Sequence, residues 1–474
     1  MPESYTHFLQ HPVFKVIAEL SKTHSQEVYV VGGFVRDCFL GRPCKDIDIV
    51  VVGDGPAFAS HVAHKLKVKN LALFARYGTA HFKYKDIDVE FVGARKESYS
   101  EDSRKPATSP GTLNDDQLRR DFTINALAFS LNEATYGTLM DPFHGMQDLS
   151  KGILRTPQDP SITYSDDPLR MLRAIRFAAQ LNFQIAAPSI EAIYTHRERI
   201  RIVSMERIST ELNKIMLSTK PSRGFYLLLH TGLLPLIFPE LVALCGTETV
   251  NGHSHKDNFD HTLEVLDNLC EKSDHLWLRW AALLHDIAKP ATKRYEPHHG
   301  WTFHGHEELG ARMVPKIFNH LRLPLDHKMK YVQKLVRLHL RPIALVKGNV
   351  TDSAIRRLLA DAGDDIDDLM LLCNSDITSK NEFKVKRYRK NFDLVTEKLK
   401  MVEEKDRIRN FQPPITGEYI MDVYGLGPCA QIGILKTKIK DAILEGEISN
   451  SMEEAKMLMI KLAEEMGLSA VKDI

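Results

Sequence analysis

Asp46 and Asp48 stand one residue apart in KDIDIVVVG (Lys45–Gly53), whose β-branched run predicts a strand. Side chains two apart on a strand share a face, so two carboxylates stand together and repel unless a cation compensates. Two Mg²⁺ ions, which take oxygen ligands, would do so. Such a pair can activate an attacking hydroxyl and stabilise a leaving oxygen in phosphoryl transfer. A DxD is by itself often no more than a solvated strand edge, and here its context matters. Immediately upstream, GGFVRD (Gly32–Asp37) reads as a strand–glycine–helix junction, where backbone N–H groups can approach phosphate. A later strand, DIDVEFV, puts Asp86, Asp88 and Glu90 on one face and Ile87, Val89 and Phe91 on the other. One of these acids can complete a three-carboxylate cradle.

A second group of chemistry-bearing residues lies far downstream. His261 sits in DNFDHTLEVL and His285-Asp286 in WAALLHDIAKP, both flanked by apolar residues that predict buried helices. Polar groups placed there need a partner or a purpose. With Asp376 in LLCNSDIT they resemble the HD phosphohydrolase pattern, which holds a divalent metal through imidazole and carboxylate. His306 in FHGHEELGA is a further participant.

The elements that must position these groups change along the chain. Residues 1–25 have helical apolar spacing at Phe8, Val13, Ile17 and Leu20. Val28–Val31 is a strand, a helix runs from Gly33 to about Leu40, 57–67 is helical, and strands lie near 79–84 and 87–93. Residues 96–120 are polar, with Pro106, Pro110 and Gly111, and read as a mobile loop. From about residue 165 helical patterns dominate, at 168–182, 189–199, 204–218 and 222–230. A break near 239–253 opens the histidine-rich part. A charged run and Pro413-Pro414 precede a helical tail.

The bulk numbers agree. At 474 residues the chain is long for one domain. A hydrophobic share of 43% and a charged share of 26% suit a globular protein. The net charge is only +1, so an RNA partner would need basic residues gathered locally. From Lys151 to Arg223 there are 12 Lys/Arg against 7 Asp/Glu. The six cysteines form no CxxC pair, which predicts reduced thiols in the cytoplasm and excludes a zinc knuckle or disulfide framework. No signal peptide or membrane span is read from the sequence.

Ordered motifs carry a specific resemblance. VVGGFVRDCFLGRPCKDIDI looks like the head motif of class II tRNA nucleotidyltransferases and bacterial poly(A) polymerases, in the polymerase-β superfamily. YGTAHFKY (Tyr77–Tyr84), RRDFTINALAF (Arg119–Phe129), DPFHGMQDL (Asp141–Leu149), DDPLRMLRAIRFAAQL (Asp166–Leu181) and ERISTELNKIM (Glu206–Met216) follow in that family's order. The resemblance spans about residues 25–220. It implies an α+β protein: a nucleotidyltransferase head with a mixed β-sheet (1–150), an all-α neck (151–245), an HD-type body (246–395) and a helical tail (396–474). The segment 415–448 resembles the tails of HD-bearing members.

The same resemblance implies a CCA-adding tRNA nucleotidyltransferase that adds C and A from CTP and ATP and releases pyrophosphate. Two Mg²⁺ ions would sit on Asp46 and Asp48, and acid-to-arginine spacing to Arg95 favours Glu90 as the third acid. Gly32, Gly33, Arg36, Arg119, Arg120, Asp121 and Asn125 would contact the nucleotide's ribose and phosphates. Asp166, where the family often has Glu, belongs to the same set, and Arg173 and Arg176 would extend toward the triphosphate. Asp167 and Arg170 would read the base. Cytosine and adenine both offer an amino donor beside a ring-nitrogen acceptor, which a carboxylate and a guanidinium complement. Uracil and guanine reverse that order. Asp167 before Pro168 is also a good helix cap, with Arg170 as its surface partner.

The resemblance further implies that the loop 96–118 couples head motion to the switch from C to A. A second divalent metal, of unspecified identity, would belong to the HD site. The partners are tRNA, CTP and ATP, without a membrane and without an obligate protein partner. The alternatives are a poly(A) polymerase, an enzyme adding only CC or only A, and an HD-type phosphohydrolase acting on RNA ends.

Overall fold

The computed structural model describes residues 4–472 except 75–77, 101–102, 251–252, 255–256, 348–350, 379–381 and 407–412. Tyr77 of the YGTAHFKY segment lies outside the described residues. Contacts divide the chain into two compact units, 1–242 and 243–474.

In the first unit the elements are α1 (Pro12–His24), β1 (Val28–Val31), α2 (Gly33–Phe39), β2 (Asp46–Val51), α3 (Gly55–Lys65), β3 (Ala72–Phe74), β4 (Thr79–Tyr84), β5 (Ile87–Gly93), β6 (Arg95–Ser100), β7 (Ser103–Pro110), α4 (Leu113–Leu118), β8 (Ala128–Ser130), β9 (Leu139–Met140), α5 (Gly145–Lys151) and β10 (Ile153–Leu154). Helices α6 (Pro160–Asp166) and α7 (Leu169–Leu181), the short strand β11 (Gln184–Ile185), and α8 (Ala187–His196), α9 (Met205–Met216), α10 (Pro221–His230), α11 (Leu234–Ile237) and α12 (Pro239–Val242) complete it.

Seven strands form one sheet in the order β3-β4-β5-β2-β1-β8-β9. β2 and β5 run parallel while their other neighbours are antiparallel, so the sheet is mixed as expected. Alternation decides its faces. Ile47, Ile49, Phe82, Val89 and Phe91 are buried with Phe58 and Val62 of α3 and Phe14 and Ile17 of α1. The opposite face changes character along its length. Tyr29, Val31, Val50, Ala94, Leu113 and Ala128 form an apolar cluster there, and the acidic residues of β2 and β5 stand beside it.

The polar stretch after Arg95 is not the loop its composition suggested. β6 and β7 pair antiparallel, from Arg95↔Pro110 to Ser100↔Ser103 with a register shift between Ser98 and Ser100. Backbone pairing needs no apolar alternation, and a two-stranded ribbon tolerates Pro106 because each strand has a free edge. Downstream, α7 packs on α9 and α10 and is buried over most of its surface.

The second unit holds β12 (Thr249–Val250), β13 (His253–Ser254), α13 (Asn258–Cys270), α14 (Leu276–Leu284), α15 (Lys289–Thr292), β14 (Arg294–Glu296), β15 (Gly300–Thr302), α16 (His306–His320), α17 (His327–Leu338), α18 (Leu340–Lys347), α19 (Asp352–Ala362), α20 (Ile366–Ser375), α21 (Glu382–Asp406), α22 (Gly417–Tyr424), α23 (Ala430–Glu445) and α24 (Met452–Glu465). α13, α14, α17 and α20 pack around Leu263, Leu266, Leu283, Leu335 and Leu369. The last three helices have a cluster of their own, with Ile420, Val423, Leu435, Ile439, Ala455 and Met459. No described helix is long and apolar enough to cross a membrane.

Candidate active site and a histidine centre

The parallel register of β2 and β5 sets Asp46 opposite Asp88 and Asp48 opposite Glu90. Four carboxylates thus share one face of two adjacent strands. Asp86 falls outside β5, exposed in the preceding turn. Asp88 is engaged by His81, whose Nε2 lies 3.2 Å from its Oδ1, which leaves Glu90 as the acid beside Asp48. Burial, and then Asp46's charge, raise the Asp48 carboxyl pKa, against the pull of Arg120. Desolvation and then the Asp48 charge raise Glu90. Oxygen donors that repel one another in this way are a fitting donor set for Mg²⁺.

Gly32 turns the chain from β1 into α2 with φ +76° and ψ −131°. A Cβ there would lie 2.9 Å from Arg120 Nη1 and 3.5 Å from Asp48 Oδ2. The Gly-Gly bend therefore sits directly against one of the two aspartates. Arg36, in the following turn, is buried; its Nη1 donates to Asn125 Oδ1 at 2.7 Å and its Nε and Nη2 grip Asp37. Arg119 and Arg120 share the fully buried Asp116, with Arg120 Nε donating to Oδ2 at 3.1 Å and Arg119 Nε to Oδ1 at 3.0 Å.

Asp121 is buried and committed. Its Oδ1 accepts from Phe122 N and Asn125 Nδ2, both at 2.9 Å, and its Oδ2 from Arg173 Nε at 2.7 Å. Burial alone would raise its pKa, but the Arg173 guanidinium, the Asn125 hydrogen bond and Arg170 together bring it down to about 2. Arg176 pairs with Glu211 at 3.1 Å, and burial lowers the guanidinium to about 10. The guanidiniums of Arg36, Arg173 and Arg176 lie 5.1, 5.5 and 4.1 Å from the ring centre of Phe177. Three cations around one ring is a geometry the sequence reading did not anticipate.

At the start of α7, Asp167 Oδ1 accepts from Leu169 N at 3.2 Å, so the helix-capping role exists. Arg170 is buried and its Nη2 donates to the Arg119 carbonyl at 2.6 Å. Arg170, Asp166, Arg119, Lys96, Asp115, Leu118 and Gln158 line a cavity of about 280 Å³. Asp167 is not part of that lining. Asp116, Gln158 and Phe177 belong to this neighbourhood and were not singled out in the sequence. Each carries a signal that reads as solvent or core: two polar residues in polar stretches and one aromatic on an apolar helix face.

In the second unit the expected residues converge. His261 Nε2 lies 2.9 Å from Asp376 Oδ1 and 3.4 Å from Asp286 Oδ2, and His285 Nε2 lies 3.1 Å from Asp286 Oδ2. His306 Nε2 is 3.2 Å from Asp286 Oδ1. Two residues were missed. His339 is buried with its Nε2 3.3 Å from His306 Nε2 and 3.9 Å from Asp286 Oδ1. Lys289 Nζ lies 2.6 Å from Asp286 Oδ2.

Burial opposes charge on His285, yet Asp286 and Asp376 raise its pKa to about 9. Burial and then His285 push His339 down to about 4. Asp286 is driven well below the ordinary range: burial opposes this, but His285 and Lys289 prevail. His285 Nε2 and Asp286 Oδ2 are buried without a hydrogen-bond partner among the described residues, although Lys289 and His285 are ion-pair neighbours of Asp286. Orphaned donors and acceptors of these types fit a divalent metal.

Comparison with known proteins agrees with this geometry. Residues 28–155 match the model of the Poly A polymerase head domain, 182–245 that of the "Probable RNA and SrmB-binding site of polymerase A", and 258–367 that of the HD domain. The chain is 38% identical over 322 residues to a multifunctional CCA protein of Nitrosococcus oceani, covering 66% of this chain and 74% of the relative. It is 32% identical over 446 residues to an A-adding tRNA nucleotidyltransferase of Deinococcus radiodurans, covering 92% and 95%. A solved Thermotoga maritima CCA-adding enzyme in complex with tRNA superposes with a TM-score of 0.60 over 97% of this chain and 99% of the other, at 21% identity, a likeness of fold.

Proposed function

The chain belongs to the family of tRNA nucleotidyltransferases and poly(A) polymerases in its HD-bearing form, and from that membership we propose that it completes the CCA end of tRNA from CTP and ATP. The observation that carries this is the β2/β5 register, which sets Asp46, Asp48 and Glu90 on one face against the Gly32 bend and Arg120. The 3′-oxygen of the tRNA attacks the α-phosphorus of the incoming nucleotide, the bond to the β-phosphate oxygen breaks, and pyrophosphate departs. Asp46 and Asp48 would hold two Mg²⁺ ions, with Glu90 supporting them. Bound there, the ions supply charge neutralisation for the attacking and leaving oxygens.

Gly32 and Gly33 let the nucleotide approach the backbone, and Arg36, Arg119, Arg120, Arg173 and Arg176 supply positive charge around it. Asn125 holds Arg36 and Asp121 holds Arg173, while Asp116 holds Arg119 and Arg120 and Glu211 pairs with Arg176. Asp166, Asp167 and Arg170 flank the base, the last two accepting cytosine and adenine. A mismatched base would leave buried polar groups unpaired at about 1–3 kcal/mol each. The β6/β7 ribbon takes the place of the loop proposed to couple the head to the C-to-A switch. The division of labour follows the segments 1–150, 151–245, 246–395 and 396–474, in the cytoplasm. The HD centre is a metal-dependent phosphohydrolase site separate from nucleotide addition.

One observation favours a second reading, addition of A alone. The A-adding relative matches nearly the whole chain, whereas the four multifunctional CCA relatives match 63–70% of it. The deciding experiment offers tRNAs ending at the discriminator base, at C and at CC, with CTP and ATP singly and together, and reads product length. Extension of the first substrate to CCA supports the proposal. Extension only of the CC end by ATP establishes A addition, and open-ended A tails establish a poly(A) polymerase. Asp48→Ala abolishes every product, and His285→Ala leaves them unchanged. Activity retained by Asp48→Ala overturns the metal assignment.

A further inference from the structure

Asp48 and Arg120 are opposite charges at close quarters that do not pair. Arg120 Nη1 and Asp48 Oδ2 lie 2.9 and 3.5 Å from the point that a Cβ on Gly32 would occupy, and the glycine puts no side chain between them. Burial raises the Asp48 pKa, and Arg120 is the strongest charge acting the other way. A guanidinium so near a half-buried carboxylate ordinarily closes on it, because water screens the attraction poorly there. In this site it is held elsewhere. Arg120 Nε and Nη2 lie 3.1 and 3.0 Å from Asp116 Oδ2, and Nη1 donates to the Asn125 carbonyl at 3.3 Å. All three guanidinium nitrogens are thereby engaged, and Asp48 has no hydrogen-bond or ion-pair partner among the described residues. We propose that Asp116 is a positioning residue of the head: it holds the Arg120 guanidinium back from Asp48 and so keeps that carboxylate open to a divalent ion. The inference rests on the reading of Asp46 and Asp48 as metal ligands under the proposed function.

Asp116 is placed to exert such a hold. It lies on α4 and is fully buried. Burial opposes its charge, but Arg120 and then Arg119 prevail and lower its pKa. The helix is fixed at its start by a capping box of Thr112 and Asp115. Near its end, Gln117 Nε2 donates to the Ala126 carbonyl at 2.6 Å and to the Met140 carbonyl at 3.2 Å. The carboxylate is therefore kept to one position, and its two oxygens are divided. Oδ2 takes Arg120, and Oδ1 takes Arg119, whose Nε donates at 3.0 Å. The two arginines then part. Arg120 stands at the Gly32 bend beside Asp48, whereas Arg119 lines the cavity that it shares with Arg170 and Asp166. Loss of the Asp116 charge releases both guanidiniums alike, and of the two it is Arg120 that acts on Asp48. That asymmetry separates a hold on one side chain from a general change of charge near the metal-binding acids.

The test is Mn²⁺ binding by the full chain without nucleotide, with free Mn²⁺ read by electron paramagnetic resonance. The binding that is lost in a chain carrying Asp46→Ala and Asp48→Ala is the head's share, and ions at the histidine centre drop out of that difference. Asp116→Asn is expected to weaken the head's share at least about tenfold, the effect of one adjacent cation on another's competition for a carboxylate. Asp116→Asn combined with Arg120→Gln restores it to within about threefold of the unsubstituted chain, because the competing cation is gone. Asp116→Asn combined with Arg119→Gln has the same net charge and does not restore it. Hydrogen exchange of peptides covering 113–130 confirms that the head is folded. If Asp116→Asn alone fails to fold, the two double variants, each lacking one charge of either sign, decide between them. A head share unchanged by Asp116→Asn overturns the proposal and leaves the metal assignment standing. Equal recovery in the two double variants also overturns it, because net charge then suffices. Equal weakening in both overturns it as well, because Asp116 then acts through packing. A head share of zero in the unsubstituted chain overturns the metal assignment and this proposal together.

Discussion

Arg173→Met keeps the length of the side chain and its apolar stem and removes the guanidinium that neutralises Asp121. The magnitude follows from the carboxyl. Held at about 2 rather than at the roughly 3.9 of an unfolded chain, it stabilises the native state by roughly 2.5 kcal/mol at neutral pH. That net figure already contains an opposing burial penalty. Removing Arg173 leaves the penalty with only Asn125, Arg170 and the Phe122 amide against it, so the loss exceeds the net. Breaking one side of a buried pair costs about 3–5 kcal/mol. The Arg173 side chain is 33% exposed, which places the expectation at the lower end, about 3 kcal/mol.

All three tryptophans lie in the second unit, so their fluorescence is blind to this change and serves as a control. Hydrogen exchange of peptides covering 119–127 and 169–181 reads it directly. Opening of those segments becomes on the order of 100-fold more frequent. The pH dependence has a definite sign. Asp121's depressed pKa contributes stability above its unfolded value, and that contribution is lost as pH falls toward 2. In the variant the folded pKa is raised, so the gap between the two proteins is full at neutral pH and narrows as acid protonates the orphaned carboxyl. Asp121→Asn combined with Arg173→Met recovers most of the loss, because no carboxylate is left buried without its guanidinium partner. Acceleration under threefold, or a gap that does not change with pH, refutes the account of Asp121 as a charge held by Arg173.

Two further substitutions probe the same neighbourhood. Gly32→Ala places a Cβ 2.9 Å from Arg120 Nη1 at a φ of +76°. It costs about 1–3 kcal/mol of backbone strain and slows single-turnover nucleotide addition at least tenfold, about 1.4 kcal/mol on the barrier, with circular dichroism unchanged; a rate near that of the unsubstituted chain contradicts the tight junction. Phe177→Leu removes the ring shared by three guanidiniums and raises the KM for nucleotide by about 5–20-fold with a smaller effect on kcat, from cation–π contributions of about 0.5–2 kcal/mol. Phe177→Tyr restores the KM, and a pure loss of stability without a KM change refutes a positioning role.

What the sequence revealed was what strict periodicity encodes. Alternation in KDIDIVVVG and DIDVEFV put Asp46, Asp48, Asp88 and Glu90 on one face, and the parallel register then aligned them. The apolar flanks of His261 and His285 announced burial, and burial of such groups announced a centre. The ribbon β6/β7 escaped because its strands carry polar residues and prolines, so neither a period of two nor hydrophobicity marks them. His339 escaped because it is one histidine among leucines, 33 residues from the ring it meets. Asp116 and Asp121 looked like surface or ligand-binding acids. In the fold they are buried counter-ions for Arg119, Arg120 and Arg173, a role visible only when helix and loop are brought together.

The capping role of Asp167 exists in the fold, and the base-reading role proposed for it, which the sequence presents as a rival, is compatible with it. A protein that selects bases without a nucleic-acid template cannot rely on flexible side chains, because a mobile carboxylate and guanidinium could rearrange to suit uracil or guanine. Discrimination requires that a wrong base leave groups unpaired and unable to turn. Asp167 has one oxygen fixed by the Leu169 amide, and Arg170 has one nitrogen fixed by the Arg119 carbonyl. Arg119 is tied in turn to Asp116, and Asp116 to the Arg120 that stands against Gly32 and Asp48. On the proposed reading, the guanidinium that Arg170 offers to the base is held by a chain of contacts that reaches the acids proposed to bind metal. If the proposed roles hold, substitution of Asp116 disturbs base selection and catalytic rate together, and a variant that changes one alone separates them.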